Sequence, residues 1–239
     1  MALTRLLSRP PYSVDFAEGT GPDLVISFAS VGHDPTRPPG AEFIATATGR
    51  GTAAAPRRAL FISDESRSWA SDPGFAPMLE EALARLDAPV SRIATLGLSM
   101  GAFSALAAAQ VLPVDTVLAF SPQFSPLPGH IAGETRWAEW TTRLTAPRWP
   151  EAPLPTRGTA WLFHGMRDDT PHAEAFPRAP GTEQILFAEE SHASLVPHLK
   201  RKGALAGLLE AALAGDRRRL LRIAAACGGR RRDRAAPRP

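Results

Sequence analysis

One short segment constrains this chain more than any other. Ile93-Ala94-Thr95-Leu96 reads as a buried strand, Gly97-Leu98-Ser99-Met100-Gly101 follows, and Ala102-Phe103-Ser104-Ala105-Leu106 has the small and apolar content of a helix. A chain that passes from strand to helix in so few residues must turn sharply, and the residue at the turn presents its side chain at the tip. Glycine on each side removes the Cβ atoms that would collide where strand and helix come close. Ser99 occupies the tip.

A serine hydroxyl becomes a useful nucleophile only when a base takes its proton, an acid holds that base, and donors await the developing oxyanion. The rest of the chain should supply these after other strands. Leu24–Phe28, Arg58–Ser63, Val114–Phe120, Thr159–His164 and Glu183–Ala188 are β-rich apolar runs, and Tyr12–Ala17 alternates as an edge strand would. Gly74–Leu86 and Ala102–Val111 have helical spacing, as does the long stretch Leu195–Ala214. Buried strands alternating with helices predict an α/β fold, with a mostly parallel central sheet covered on both faces. The pattern breaks over residues 123–156, rich in proline and carrying Trp137, Trp140 and Trp149. This stretch predicts an insertion over the carboxyl ends of the strands, where such folds bind ligands. Residues 1–215 read as one domain and 216–239 as a basic extension.

The acid falls in His164-Gly165-Met166-Arg167-Asp168-Asp169, just past an apolar strand. Asp168 is the first choice and Asp169 its neighbouring rival. The base is His192, in the loop after the strand that ends near Ala188. The order Ser99, Asp168, His192 suits a nucleophile on a strand-to-helix turn. The backbone N–H of Met100 is the first oxyanion donor, with Ala29, or else Ser30, from the loop after Phe28 as the second. His33, Phe124, Leu127, Trp137 and Trp140 are candidates to line the substrate pocket.

Together these motifs resemble the α/β-hydrolase superfamily over about residues 12–214. Gly97–Gly101 looks like its nucleophile elbow, His164–Asp168 like its acid loop, and Ser191-His192 like its histidine loop. The resemblance implies hydrolysis of a carboxylic ester or thioester through an acyl-serine. Acyl transfer to or from a glycan or small acceptor is the nearest alternative, and a binding or scaffold protein that keeps the fold without turnover is the other. Phe28-Ala29-Ser30 departs from the His-Gly common in the family at that place. The stretches Phe61-Ile62-Ser63-Asp64…Trp69 and Phe120-Ser121-Pro122-Gln123 are similar to those of small bacterial members linked to surface-polysaccharide or acyl-group metabolism.

Composition narrows the partners. The formal charge of +3 is a tail effect: residues 1–215 carry 18 Lys+Arg against 22 Asp+Glu, and residues 216–239 carry 9 Arg against 2 Asp. The body therefore predicts no nucleic-acid partner, while the tail's arginines would give weak attraction to anionic surfaces. No run reaches the roughly 18 apolar residues of a membrane span. A single cysteine, Cys227, precludes an internal disulfide, and with no secretory-signal pattern this predicts a cytoplasmic protein. No dinucleotide or phosphate-loop pattern is present. Asp168, Asp169 and His172 are better used by a triad than by a metal, so no cofactor or metal is expected. Arg217–Ala226 should extend as a short helix ended by Gly228-Gly229, with Arg230–Pro239 a disordered end that takes no part in catalysis.

Overall fold

The structure is a computed structural model and describes residues 2–52 and 56–232. The chain runs through β1 (Thr4–Arg9), β2 (Tyr12–Ala17), β3 (Asp23–Phe28), α1 (Ile44–Thr48) and β4 (Arg58–Asp64). It continues through α2 (Phe75–Ala84), β5 (Arg92–Leu98), α3 (Met100–Ala108), β6 (Thr116–Phe120) and α4 (Ala138–Thr141). The last part holds β7 (Thr159–Gly165), α5 (Thr170–Ala175), β8 (Thr182–Phe187), α6 (Leu195–Arg201), α7 (Ala204–Leu213), α8 (Arg217–Ala226) and β9 (Arg230–Arg231).

Nine strands form one sheet in the order β1-β2-β4-β3-β5-β6-β7-β8-β9. The pairs from β4 through β8 are parallel, and β1, β2 and β9 pair antiparallel with their neighbours. Every residue of β4 and β6 is buried, as expected of parallel strands covered on both faces. One face packs on α2, α3 and the insertion, through Phe75, Met78, Phe103 and Leu106. The other packs on α6, α7 and α8, through Leu195, Leu208, Leu209 and Leu220. All nine residues of α3 are buried, which explains why it carries no polar face.

Four expectations need correction. Tyr12–Ala17 is not an edge strand, because β1 pairs outside it. Leu195–Ala214 is not one helix: Gly203 turns left-handed at φ 66° and separates α6 from α7. The basic extension does not stand apart, since Leu220 and Ala224 of α8 are buried in the second core. Nor does it end in disorder from Arg230, because Arg230–Arg231 add β9 to the edge of β8; residues 233–239 lie outside the described residues. Arg232 then donates from Nη1 to the carbonyls of Ala173 and Phe176 at 3.0 Å and to Gln184 Oε1 at 2.6 Å, and from Nη2 to Glu174 O. It thus secures the carboxyl end of α5, where Gln184 Nε2 also donates to Ala173 O. Among the described residues, no helix is long and apolar enough to cross a membrane.

Candidate active site

Ser99 sits between β5 and α3 at φ 58°, ψ −123°, a conformation that side-chain-bearing residues rarely adopt. Its N–H donates to Phe120 O at 2.9 Å, which ties the turn to the end of β6. The flanking glycines are obligatory. A Cβ on Gly97 would lie 2.3 Å from the Gly101 carbonyl carbon, and one on Gly101 would lie 2.2 Å from Phe28 O. Gly165 plays the same part at the end of β7: a Cβ there would meet Ser191 O at 2.4 Å, so its absence lets the His192 loop lie against the strand end.

The carboxylate that faces the His192 ring is Asp169. Its Oδ1 and Oδ2 lie 2.9 and 3.0 Å from His192 Nδ1. Asp168, the first choice from sequence, instead accepts the backbone N–H of His192 at 2.6 Å and is half exposed. The reason for the exchange is local. Asp169 is the N-cap of α5, and its N–H returns to Gly165 O, so the turn buries the second carboxylate and leaves the first at the rim. Burial alone would raise the Asp169 pKa. The His192 hydrogen bond, with the nearby charges of His192 and Arg136, outweighs that and holds it below the usual carboxylate value.

The insertion supplies a clamp that sequence reasoning missed. Arg136 reaches Asp169 Oδ1 at 3.0 Å and Asp168 Oδ2 at 3.5 Å, while Glu134 Oε2 holds its guanidinium at 2.6 Å. Buried His172 accepts the Phe124 N–H at Nδ1, so its other nitrogen carries the proton and donates to Glu134 at 3.0 Å. Burial opposes ionisation of Glu134, yet the bonds from His172 and Arg136 drive its pKa far down. Trp137 packs on the His192 ring at 4.9 Å between centroids, with Arg136 over its own ring at 4.4 Å. No spacing rule marks Glu134 or Arg136, since both lie in an irregular segment.

Two stretches singled out in the sequence meet at the serine. Trp69 Nε1, which can only donate, bonds Gln123 Oε1 at 3.3 Å. That fixes the Gln123 amide so that Nε2 donates to Ser99 Oγ at 2.8 Å. Both side chains are buried. Among the described residues Ser99 Oγ makes no hydrogen bond with His192 and His192 Nε2 bonds no protein group, so the hydroxyl proton and the ring lone pair are both unspent. Ser121 bridges the two loops: it follows Phe120, and its Oγ donates to His192 O at 3.4 Å.

The loop after β3 corrects a further expectation. The Ala29 N–H donates to Ile62 O at 2.9 Å and cannot also serve an oxyanion. The Met100 N–H carries no such bond among the described residues, whereas the Ser30 N–H is directed at the Glu42 carboxylate. Of the proposed pocket residues, Trp137 lies on His192, and exposed His33 lines a cleft beside the loop. Phe124 packs edge-on against Phe176, Trp140 lies under the Arg67 guanidinium, and half-buried Leu127 donates its N–H to Ser125 Oγ. Among the described residues no group of three acidic, histidine or cysteine side chains is arranged to hold a metal.

The strand order, the turn at Ser99 and the loops at the carboxyl ends together decide the architecture. This is the α/β-hydrolase fold. A capsule O-acetyltransferase of Neisseria meningitidis serogroup A is similar in structure, with a TM-score of 0.54 at 11% identity over 82% of this chain and 90% of that one. A Pyrobaculum calidifontis esterase gives 0.53 at 12% over 86% and 81%, and a Pyrococcus furiosus esterase 0.50 at 14% over 81% and 85%. No protein-family model and no curated protein matches the sequence.

Proposed function

We propose that this α/β-hydrolase-fold chain is a serine hydrolase of carboxylic esters or thioesters. The observation that carries the reading is the buried Asp169 carboxylate on His192 Nδ1, which leaves Nε2 with a free lone pair, while the Ser99 proton is also unspent and the Phe120-Ser121 segment ties the two loops together. Ser99 Oγ attacks the acyl carbonyl as His192 Nε2 takes its proton. Asp169 keeps the Nδ1 proton in place and stabilises the imidazolium. The oxyanion is met by the Met100 N–H, and the Gln123 amide holds Ser99 Oγ, the attacking oxygen, in place. His192 then returns the proton to the leaving group, and water repeats the sequence on the acyl-serine. A small or medium acyl group is the preferred substrate. Catalytic hydrogen bonds are often unformed in free enzymes, so the direct Ser99–His192 bond is expected only with substrate bound.

A fluorophosphonate should label the wild type at Ser99 and fail to label Ser99→Ala. A chain-length series of p-nitrophenyl esters should be turned over by the wild type alone. A folded wild type that is neither labelled nor active on any ester would favour the non-catalytic scaffold.

A further inference from the structure

A cleft of about 970 Å³ opens between the loop after β3 and α6. Its lining includes Leu98 and Ala193, the chain neighbours of Ser99 and His192, and Ser30 of the loop after β3. One wall is apolar, built from Phe43, Val196 and Ile44, and Ile44 is the one large apolar side chain exposed among the described residues. The charges around it do not balance. Arg37 and Asp34 pair with each other at 3.4 Å. Glu42 is held by the Ser30 hydroxyl at 2.6 Å, and burial raises its pKa. Arg50 and Lys200 remain on the rim with no acidic partner among the described residues, beside His33.

We propose that this cleft binds the non-reacting arm of the substrate, and that this arm is an apolar chain ending in an anion. The carbonyl lies at Ser99, the chain follows Phe43, Ile44 and Val196, and the anion meets Arg50 and Lys200. This inference rests on the serine-hydrolase reading, and it makes the substrate an anionic amphiphile rather than a plain neutral ester. Two exposed cations acting together give a preference that salt screens over the Debye length.

The test compares matched esters. Charge on the acyl arm is read with p-nitrophenyl hydrogen glutarate against its methyl-capped diester, and charge on the alcohol arm with p-acetoxybenzoate against its methyl ester. In one pair the anionic member should have kcat/KM about 10-fold above the neutral one in low salt, shrinking toward unity in 0.5 M salt. The double variant Arg50→Ala/Lys200→Ala should abolish that preference and leave the neutral esters unchanged. Binding of the same anionic esters to Ser99→Ala, followed by calorimetry, reads the cleft without turnover. It therefore separates failure of the cleft from failure of the serine chemistry. No preference in either pair, or equal loss on charged and neutral esters in the double variant, would overturn the inference.

Discussion

Replacing the two adjacent carboxylates one at a time separates their roles. In Asp169→Asn the side chain keeps its size, but one face becomes an NH2 that can only donate. Both Asp169 oxygens lie within 3.0 Å of His192 Nδ1, so the amide NH2 is brought against the ring and favours the tautomer in which Nδ1 is the acceptor. The ring proton then moves to Nε2, the nitrogen that takes the Ser99 proton in the proposed mechanism. A wrong tautomer of this kind costs roughly 10³- to 10⁴-fold in kcat, about 4–5.5 kcal/mol of transition-state stabilisation. In Asp168→Asn the amide oxygen still accepts the His192 N–H, and what weakens is one charge-assisted bond at a half-exposed site. A loss of at most about 10-fold is expected there. Initial rates on p-nitrophenyl acetate, normalised to folded protein by circular dichroism, measure both. A larger loss in Asp168→Asn than in Asp169→Asn would refute the assignment of the acid. So would an Asp169→Asn variant within a factor of ten of wild type.

Gln123→Ala should lower kcat by about 10-fold with KM little changed, because the Ser99 hydroxyl loses the amide that positions it; a rise in kcat would instead identify Gln123 as a latch on Ser99. His164 is fully buried, and burial depresses its pKa to about 3. Its unfolded value is near 6.5, so its contribution is complete above that pH and declines as pH falls toward 3, with a slope of up to about 1.4 kcal/mol per pH unit. His164→Leu should flatten urea-derived stability between about pH 6 and pH 4, and an unchanged slope would contradict the assignment. Arg232→Ala removes four bonds and should cost about 2–3 kcal/mol, with faster amide exchange over residues 170–176. Unchanged exchange there would show that the arginine does not secure α5.

Much of the sheet and the position of the site were legible because periodicity and glycine act locally. Buried strands such as β3 and β6 are continuous apolar runs, and Gly97 and Gly101 announce a close approach whatever lies around them. The contacts that refine the site are long-range. Asp168 and Asp169 differ by one residue, and which of them is buried depends on how α5 begins. Arg136 comes from an irregular stretch where neither spacing nor composition gives a direction, and the resemblance at Phe120–Gln123 marks a stretch without saying what its glutamine bonds. β1 was missed because Arg5 and Arg9 look like interruptions in a chain end, although on an edge strand they lie on the solvent side. The Ala29 N–H was unreadable in principle, since its partner is the carbonyl of Ile62 on a neighbouring strand.

The backbone at Ser99 sets selection for function against selection for durability. At φ 58° the residue best suited to position 99 is glycine, and relief of such strain is worth about 1–3 kcal/mol. Random drift filtered only by folding would therefore discard the proposed nucleophile, and a laboratory screen for heat-resistant variants would be drawn toward the ones that the proposal makes inert. Any programme that hardens this protein must hold position 99 fixed and look elsewhere for its gains.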